Sequence, residues 1–312
     1  MKIHTDITDF YGVKRPVLTT GTFDGVHMGH RKILQRLKEI AQREEGESVL
    51  FTFHPHPRMV LFPHDNDLKL LSTQKERTAL LEEAGIDHLL VVPFTRTFSR
   101  MTALEYVRNV LVDGLGLHAM VIGHDHRFGR NREGDIHLLR QYGEAYDFKV
   151  EEIPAEEIDH VKVSSTKVRQ ALQAGDVEHA RQWLGYEYPI TGLVVKGDQL
   201  GRTIGFPTAN IALTDPYKLV PGDGVYAVRV SLRDGEFTGM LNIGKRPTVQ
   251  GDGERTVEVH VLGLDRDLYG EGITVRFSQR VRDERKFDGL DALKEQLMKD
   301  RDRVLGIFGS KA

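Results

Sequence analysis

A chain of 312 residues, at roughly 150 per domain, has room for about two domains. Hydrophobic residues at 39% and charged residues at 29% exclude a disordered or fibrous protein. Lys+Arg 43 against Asp+Glu 46, a formal charge of -3, lacks the basic excess of a dedicated nucleic-acid binder, and the absence of cysteine excludes disulfides, thiolate zinc sites, iron–sulfur clusters and cysteine nucleophiles.

In chain order, the first half alternates short apolar runs with longer helical patterns. Strands are expected over residues 17–23, 48–53, 88–93, 119–123 and 148–153, and between them Ile33, Leu34, Leu37, Ile40 and Ala41 recur at helical spacing, as do Leu104, Val107, Val110 and Leu111. Near-continuous apolar strands separated by helices predict an α/β fold with a parallel sheet covered on both faces. After about Trp183 the pattern changes to alternating strands over 190–196, 224–232, 237–243, 256–262 and 273–281, punctuated by turns such as Pro221-Gly222-Asp223-Gly224. This half reads as an antiparallel barrel or sandwich. A terminal helix follows, with Asp288 expected as its cap and Leu290, Leu293, Leu297 and Val304 on one face. The expected division is 1–185 and 186–312. No apolar run approaches the ~18 residues of a membrane span, and Met1-Lys2-Ile3-His4-Thr5-Asp6 lacks the apolar core of a signal peptide. A cytoplasmic protein without membrane or nucleic-acid partners is therefore expected.

The first chemical run, Gly21-Thr22-Phe23-Asp24-Gly25-Val26-His27-Met28-Gly29-His30, falls where the first strand turns into a helix. In an open α/β sheet ligands bind at that carboxyl end of the strands. Gly21, Gly25 and Gly29 allow close backbone approach, while His27 and His30 meet at a helix N-terminus, where free N–H groups favour anions. Such a pair suits a triphosphate; alone, the run is equally a glycine-rich turn with two solvated histidines. Ser164-Ser165-Thr166-Lys167-Val168-Arg169 opens another helix, with cap hydroxyls and Arg169 one turn in, the parts of a phosphate cradle. Alone it is more often a capped helix with a surface arginine. The two together resemble the nucleotidyltransferase superfamily, in which such motifs grip ATP and act by positioning and neutralising phosphates. A third run, Gly123-His124-Asp125-His126-Arg127-Phe128-Gly129-Arg130, follows a strand end on the same expected edge and suits the acceptor substrate or the adenine. The pairs His54/His56 and His124/His126 raise a metal hydrolase as a rival, but no HExxH-type helix with its carboxylate accompanies them.

In the second half, Gly201-Arg202-Thr203-Ile204-Gly205-Phe206 precedes Pro207-Thr208-Ala209-Asn210. Thr208 and Asn210, two apart on an extended segment, aim their side chains to one side. A hydroxyl and an amide carbonyl are hard oxygen ligands suited to Mg²⁺ that also binds substrate phosphates. The glycines 201 and 205 allow a flap over a nucleotide, although no GxxxxGK[ST] is present. In Val257-Glu258-Val259-His260-Val261 the valines share one face, and Glu258 and His260 the other. Glu258 is a candidate general base; the plain alternative is a solvated surface glutamate.

The ordered set Gly201-Arg202-x-x-Gly205-Phe206-Pro207-Thr208-Ala209-Asn210, Gly224-Val225-Tyr226-Ala227, Asn242-Ile243-Gly244-x-Arg246-Pro247-Thr248, Glu258-Val259-His260, Leu268-Tyr269-Gly270 and Arg282-x-Glu284-x-x-Phe287 is similar to riboflavin kinase. With the two N-terminal motifs, the chain resembles the bifunctional bacterial riboflavin kinase/FMN adenylyltransferase (FAD synthetase) family over nearly its whole length. The resemblance implies a Rossmann-like nucleotidyltransferase domain followed by a barrel kinase domain. It implies that riboflavin and ATP give FMN in the C-terminal module, and that FMN and a second ATP give FAD and pyrophosphate in the N-terminal one. Carried over by residue, His27 and His30 would be catalytic, and Gly21, Phe23, Asp24, Gly29, His30, Ser165, Thr166 and Arg169 would bind ATP. Asp125 would lie near the nucleotide or flavin phosphate, and Arg282 in a loop closing over flavin and nucleotide. Gly201, Gly205, Thr208 and Asn210 would form the kinase nucleotide loop, with Thr208 and Asn210 holding Mg²⁺–ATP and Glu258 accepting the proton of the ribityl 5′-hydroxyl. One departure is His126, where the family commonly carries an aromatic; it leaves open which contact this position makes with flavin or adenine. Two other readings compete. A single-activity nucleotidyltransferase would not need the barrel half, and a flavin-sensing module with dead sites would not need His27, His30, Thr208, Asn210 and Glu258 intact.

Overall fold

The apolar runs of the first half become six parallel strands: β1 (Lys2–His4), β2 (Val17–Thr20), β3 (Ser48–His54), β4 (His88–Pro93), β5 (Ala119–Gly123) and β6 (Lys149–Ile153). The protein is seen in a computed structural model that describes residues 1–64, 67–123, 126–154, 163–197, 200–245 and 255–309. It divides into two compact units, Met1–Ser165 and Thr166–Ala312. In the first, the strand order is β1-β4-β3-β2-β5-β6. Val49, Phe51, Met120 and Ile122 bury one face, and Val17, Leu50 and Val121 the other, so both faces demand apolar side chains. Helix α1 (Met28–Arg43) lays Leu34, Leu37, Ile40 and Ala41 on the second face. Each such leucine, fully buried, stabilises the fold by roughly 1.5–3 kcal/mol. Further helical segments are α2 (Pro57–Leu61), α3 (Gln74–Glu83), α4 (Ala103–Glu105), continued by a π-helix at Tyr106–Val112, and α5 (Ile136–Tyr146).

β2 pairs with β3 on one side and β5 on the other, both in parallel. The chain therefore winds outward in two directions from β2, and the crevice beyond the carboxyl ends of β2 and β5 is the topological switch point, the usual ligand site of such sheets. The Gly21–His30 run leaves one of these ends and the run after Gly123 leaves the other.

Thr166 belongs to the second unit, which contains most of α6 (Ser165–Gln173) together with α7 (Val177–Leu184). The Gly222 N–H donates to the Leu172 carbonyl (2.7 Å) and Arg280 Nη1 to the Ala174 carbonyl (3.0 Å), so these helices pack as part of the barrel unit. The barrel itself is antiparallel and closed, in the order β10-β11-β8-β7-β12-β9. Its strands are β7 (Tyr188–Val195), β8 (Ala209–Leu213), β9 (Gly224–Leu232), β10 (Gly235–Lys245), β11 (Arg255–Val261) and β12 (Gly272–Arg282), with a short α8 (Leu200–Thr203) before β8. The terminal α9 (Leu290–Phe308) covers a cluster of Phe206, Val225, Ala227, Met240 and Val281 through Leu293, Leu297 and Val304.

Two details of the terminal helix correct the expectation. Gly289, not Asp288, is its N-cap, with φ 121°, and no side chain caps the helix, because the chain enters one residue later than the Asp288 reading requires. Leu290 is half exposed and does not join the buried face.

Candidate active sites

In the first unit the expected strand end at 17–23 stops at Thr20, and the chain turns sharply. Phe23 (φ 46°) and Val26 (φ 37°) are held in the left-handed region that non-glycine residues avoid, Val26 despite its branched Cβ. Residues held there cost roughly 1–3 kcal/mol each and collect at functional sites. His27 caps α1: its Nδ1 accepts the His30 N–H (3.3 Å), and the two imidazoles stack at 3.6 Å with 13° between planes. Phe23 closes on the other side of His30, ring centres 4.7 Å apart. Burial and the neighbouring His27 hold His30 well below the usual imidazole range, so it is neutral at pH 7. His30 Nδ1 is buried and makes no hydrogen bond among the described residues. A neutral imidazole carries one N–H donor, and its place at a helix N-terminus is one that favours anions.

The structure brings Gly21, Phe23, Asp24, Gly29, His27, His30 and Ser165 together at this turn. Asp24 engages the protein: its buried carboxylate accepts the Leu71 and Ser72 N–H groups, each at 3.0 Å. The Ser72 hydroxyl accepts the Gly25 N–H (3.0 Å), and the Ser165 hydroxyl donates to the Asp24 carbonyl (3.1 Å). Arg77 on α3, which sequence reasoning missed, donates from Nη1 to the Thr22 carbonyl (2.7 Å) and from Nη2 toward the Phe53 carbonyl (3.5 Å). It clamps the ends of β2 and β3 beneath the turn. Nothing in a lone arginine on an otherwise polar helix marks it in sequence. Thr166, exposed, and Arg169, half-buried, lie early in α6 in the second unit. Asp125 and His124 fall outside the described residues; His126 stacks near Phe128, centres 6.0 Å apart and 21° between planes.

In the second unit, Glu258 on β11 stands opposite Asn210 on β8 and Asn242 on β10. The Thr208 hydroxyl donates to Glu258 Oε2 (3.3 Å). His260, on the same face as Glu258, donates from Nδ1 to the Pro207 carbonyl (2.7 Å) and packs edge-on against Phe206. Burial holds His260 below the usual imidazole range. The Phe206 N–H bonds to the Gly201 carbonyl (2.8 Å), and a Cβ at Gly201 would strike the Phe206 carbonyl, which is why the flap needs glycine there.

Two cavities adjoin at Thr208. One, about 440 Å³, is lined by Arg202, Pro207, Thr208, Val259, Asp265 and Tyr269 among others. The other, about 250 Å³ and largely apolar, includes Thr208, Asn242, Glu258, Arg282, Glu284 and Phe287. Arg282 is ion-paired to the buried Asp300 of α9 (Nη2–Oδ2 2.8 Å) while lining this cavity. Among the described residues no group of three or more His, Asp or Glu side chains is set to hold a metal ion. The oxygens of Thr208 and Asn210 fit a cation that takes its other ligands from phosphates and water.

A switch-point crevice with stacked imidazoles in one unit, and two cavities that share Thr208, the smaller lined by Glu258, in the other, equip a nucleotide-dependent group transferase with one site in each unit. Residues 13–167 match the family described as FAD synthetase, and residues 184–308 the family described as riboflavin kinase. The bifunctional riboflavin kinase/FMN adenylyltransferase of Escherichia coli K12 is 41% identical over 294 residues, 94% of this chain and 93% of that one. The Pseudomonas fluorescens protein of the same description is 40% identical, over 91% of this chain and 90% of that one. A crystal structure from Streptococcus pneumoniae described as a macrolide-efflux protein superposes with TM-score 0.87 at 32% identity, over 97% of both chains. The chain belongs to the bifunctional riboflavin kinase/FMN adenylyltransferase family. No helix among its described residues is long and apolar enough to cross a membrane.

Proposed function

We propose that riboflavin is phosphorylated at the two cavities of the barrel and that the resulting FMN is adenylylated at the switch-point crevice of the parallel sheet. The observation that carries the kinase half is the position of Thr208: it lines both cavities, and its hydroxyl meets Glu258. The larger, more polar cavity takes ATP, the smaller apolar one takes the flavin ring, and phosphoryl transfer runs between them at Thr208. Glu258 accepts the proton of the ribityl 5′-hydroxyl as its oxygen attacks the γ-phosphorus and ADP leaves. Thr208 and Asn210 would hold Mg²⁺, whose charge neutralises the phosphates when it is bound. His260 and Gly201 keep the Pro207–Thr208 segment in place.

In the adenylyltransferase half, His27 and His30 donate to the ATP phosphates, with the α1 N-terminus adding its field. An FMN phosphate oxygen attacks the α-phosphorus and pyrophosphate leaves. Phe23, Asp24, Gly21, Gly29 and Ser165 shape the turn, Asp24 by anchoring it to residues 71–72. The family resemblance assigns Thr166, Arg169 and Asp125 to phosphate groups, and it assigns Arg282 to the flavin of the kinase module. The functional boundary is taken at 185/186, the partners are small molecules alone, and the location is the cytoplasm.

Incubation of the full chain with riboflavin, ATP and Mg²⁺, with products separated over time, tests the reading. FMN should appear first and FAD after it, with one pyrophosphate per FAD. FAD formed from supplied FMN without any conversion of riboflavin would reduce the protein to a single-activity nucleotidyltransferase; no product at all would make it a binding module.

A further inference from the structure

We propose that Glu284 is a positioning residue of the kinase site, whose carboxylate seats against Gly244 and ties the 283–287 segment to the barrel wall beside Glu258. The proposal rests on the reading of Glu258 as the kinase base. Gly244 lies on β10, and a Cβ built there would overlap the Glu284 carboxylate, so only glycine leaves the seat open. The Asn242 side chain and the Lys245 backbone N–H donate to that carboxylate. Asn242 is also the direct cross-strand partner of Glu258, so the residue that donates to Glu284 stands across the ladder from the base. Glu284, Asn242 and Glu258 all line the 250 Å³ cavity, with Phe287 of the same segment.

The other end of the segment is fixed independently. Arg282 Nε and Nη2 grip the buried Asp300 carboxylate on α9, with Nε–Oδ2 at 2.9 Å, and the Arg282 guanidinium lies over the Phe287 ring at 5.6 Å. The segment is thus held to the terminal helix by Arg282 and to the barrel by Glu284. Partial burial and the charge of Asp223 raise the Glu284 pKa above its ordinary value, against the two donors, which lower it. Loss of the seat frees the wall that carries Phe287 and releases the amide next to Glu258. The larger effect falls on riboflavin binding, the smaller on proton transfer.

The test uses the full chain with Glu284→Ala, Gly244→Ala, the double substitution and Glu284→Gln, assaying riboflavin phosphorylation and FMN adenylylation on the same preparations. Loss of a charge-assisted seat of this kind should raise the riboflavin KM roughly tenfold, with a smaller fall in kcat. Gly244→Ala should match Glu284→Ala, because its methyl group displaces the same carboxylate. The double substitution should be no worse than either single one, the signature of one shared contact. Glu284→Gln, whose amide oxygen still accepts, should restore part of the riboflavin affinity, and FMN adenylylation should be unchanged throughout. An unchanged riboflavin KM in Glu284→Ala, effects that multiply in the double substitution, or a parallel fall in adenylylation would each overturn the proposal. If Glu258→Gln phosphorylates riboflavin normally, the underlying reading fails; normal Glu284 variants beside an inactive Glu258→Gln overturn this inference alone.

Discussion

The backbone N–H of His30 donates to Nδ1 of His27 at 3.3 Å while the two rings stack at 3.6 Å. The contact fixes the tautomer of His27 and aims both imidazoles from the N-terminus of α1. His30→Ala removes one preorganised donor to developing phosphate charge, so FMN adenylylation should fall on the order of 10²–10³-fold. Riboflavin phosphorylation should be nearly untouched. Parallel assays of both reactions on the purified variant check this, and equal loss of both with the fold retained by circular dichroism would contradict it.

The extent of the barrel unit makes a separate prediction. Residues 166–184 bond to the barrel through Leu172–Gly222 and Ala174–Arg280, and α7 buries Val177, Ala180 and Leu184. A fragment 166–312 should therefore melt about 10 °C above a fragment 187–312, since burial of Val177 and Leu184 contributes about 3–6 kcal/mol and about 1 kcal/mol shifts the melting of a domain this large by ~2–4 °C. Equal melting by calorimetry would show that these helices contribute nothing to the barrel.

Glu44 gives a pH dependence. Its carboxylate accepts Lys149 Nζ (2.6 Å) and His118 Nε2 (3.1 Å), and these bonds push its pKa down to about 2. A carboxylate whose folded-state pKa is depressed stabilises fully above its unfolded value, and that stabilisation is lost as pH falls toward the folded one. Glu44→Gln should lower the melting temperature at pH 7, and the gap to wild type should narrow between the ordinary value of 4.5 and about 2. A gap that stays constant over that range would show that the charge of Glu44 does not matter.

The legible parts of the fold were those where one physical signal dominated. The strands at 88–93, 119–123 and 224–232 match His88–Pro93, Ala119–Gly123 and Gly224–Leu232, each a dense apolar run. β1 passed unnoticed because Lys2–His4 is three residues long and its buried side chain is a histidine. The membership of α6 and α7 was hidden because an amphipathic helix does not say which core its apolar face meets. At the sites, spacing alone brought His27 to His30 and put Glu258 and His260 on one face, whereas Thr208, fifty residues from Glu258, was joined to it only by the resemblance to riboflavin kinase. The supports escaped: Arg77 and Ser72 lie about 50 residues from the turn they hold, and Glu284 reaches Gly244 from another strand's end. Such contacts depend on tertiary register, which composition and periodicity do not carry.

In the proposed function two reactions run at two separate sites, and Glu258 serves only one. Glutamine at 258 keeps the shape and can still accept a hydrogen bond, but is too weak a base to take the ribityl proton. General-base contributions of ~10²–10⁴-fold set the expected loss. The direct measurement is the pair of rates for purified Glu258→Gln given either riboflavin or FMN, each with ATP and Mg²⁺. Riboflavin should be converted to FMN on the order of 10²–10⁴-fold more slowly than by wild type, while FMN becomes FAD at the wild-type rate. Normal phosphorylation of riboflavin, or collapse of FMN-to-FAD conversion, would contradict the account.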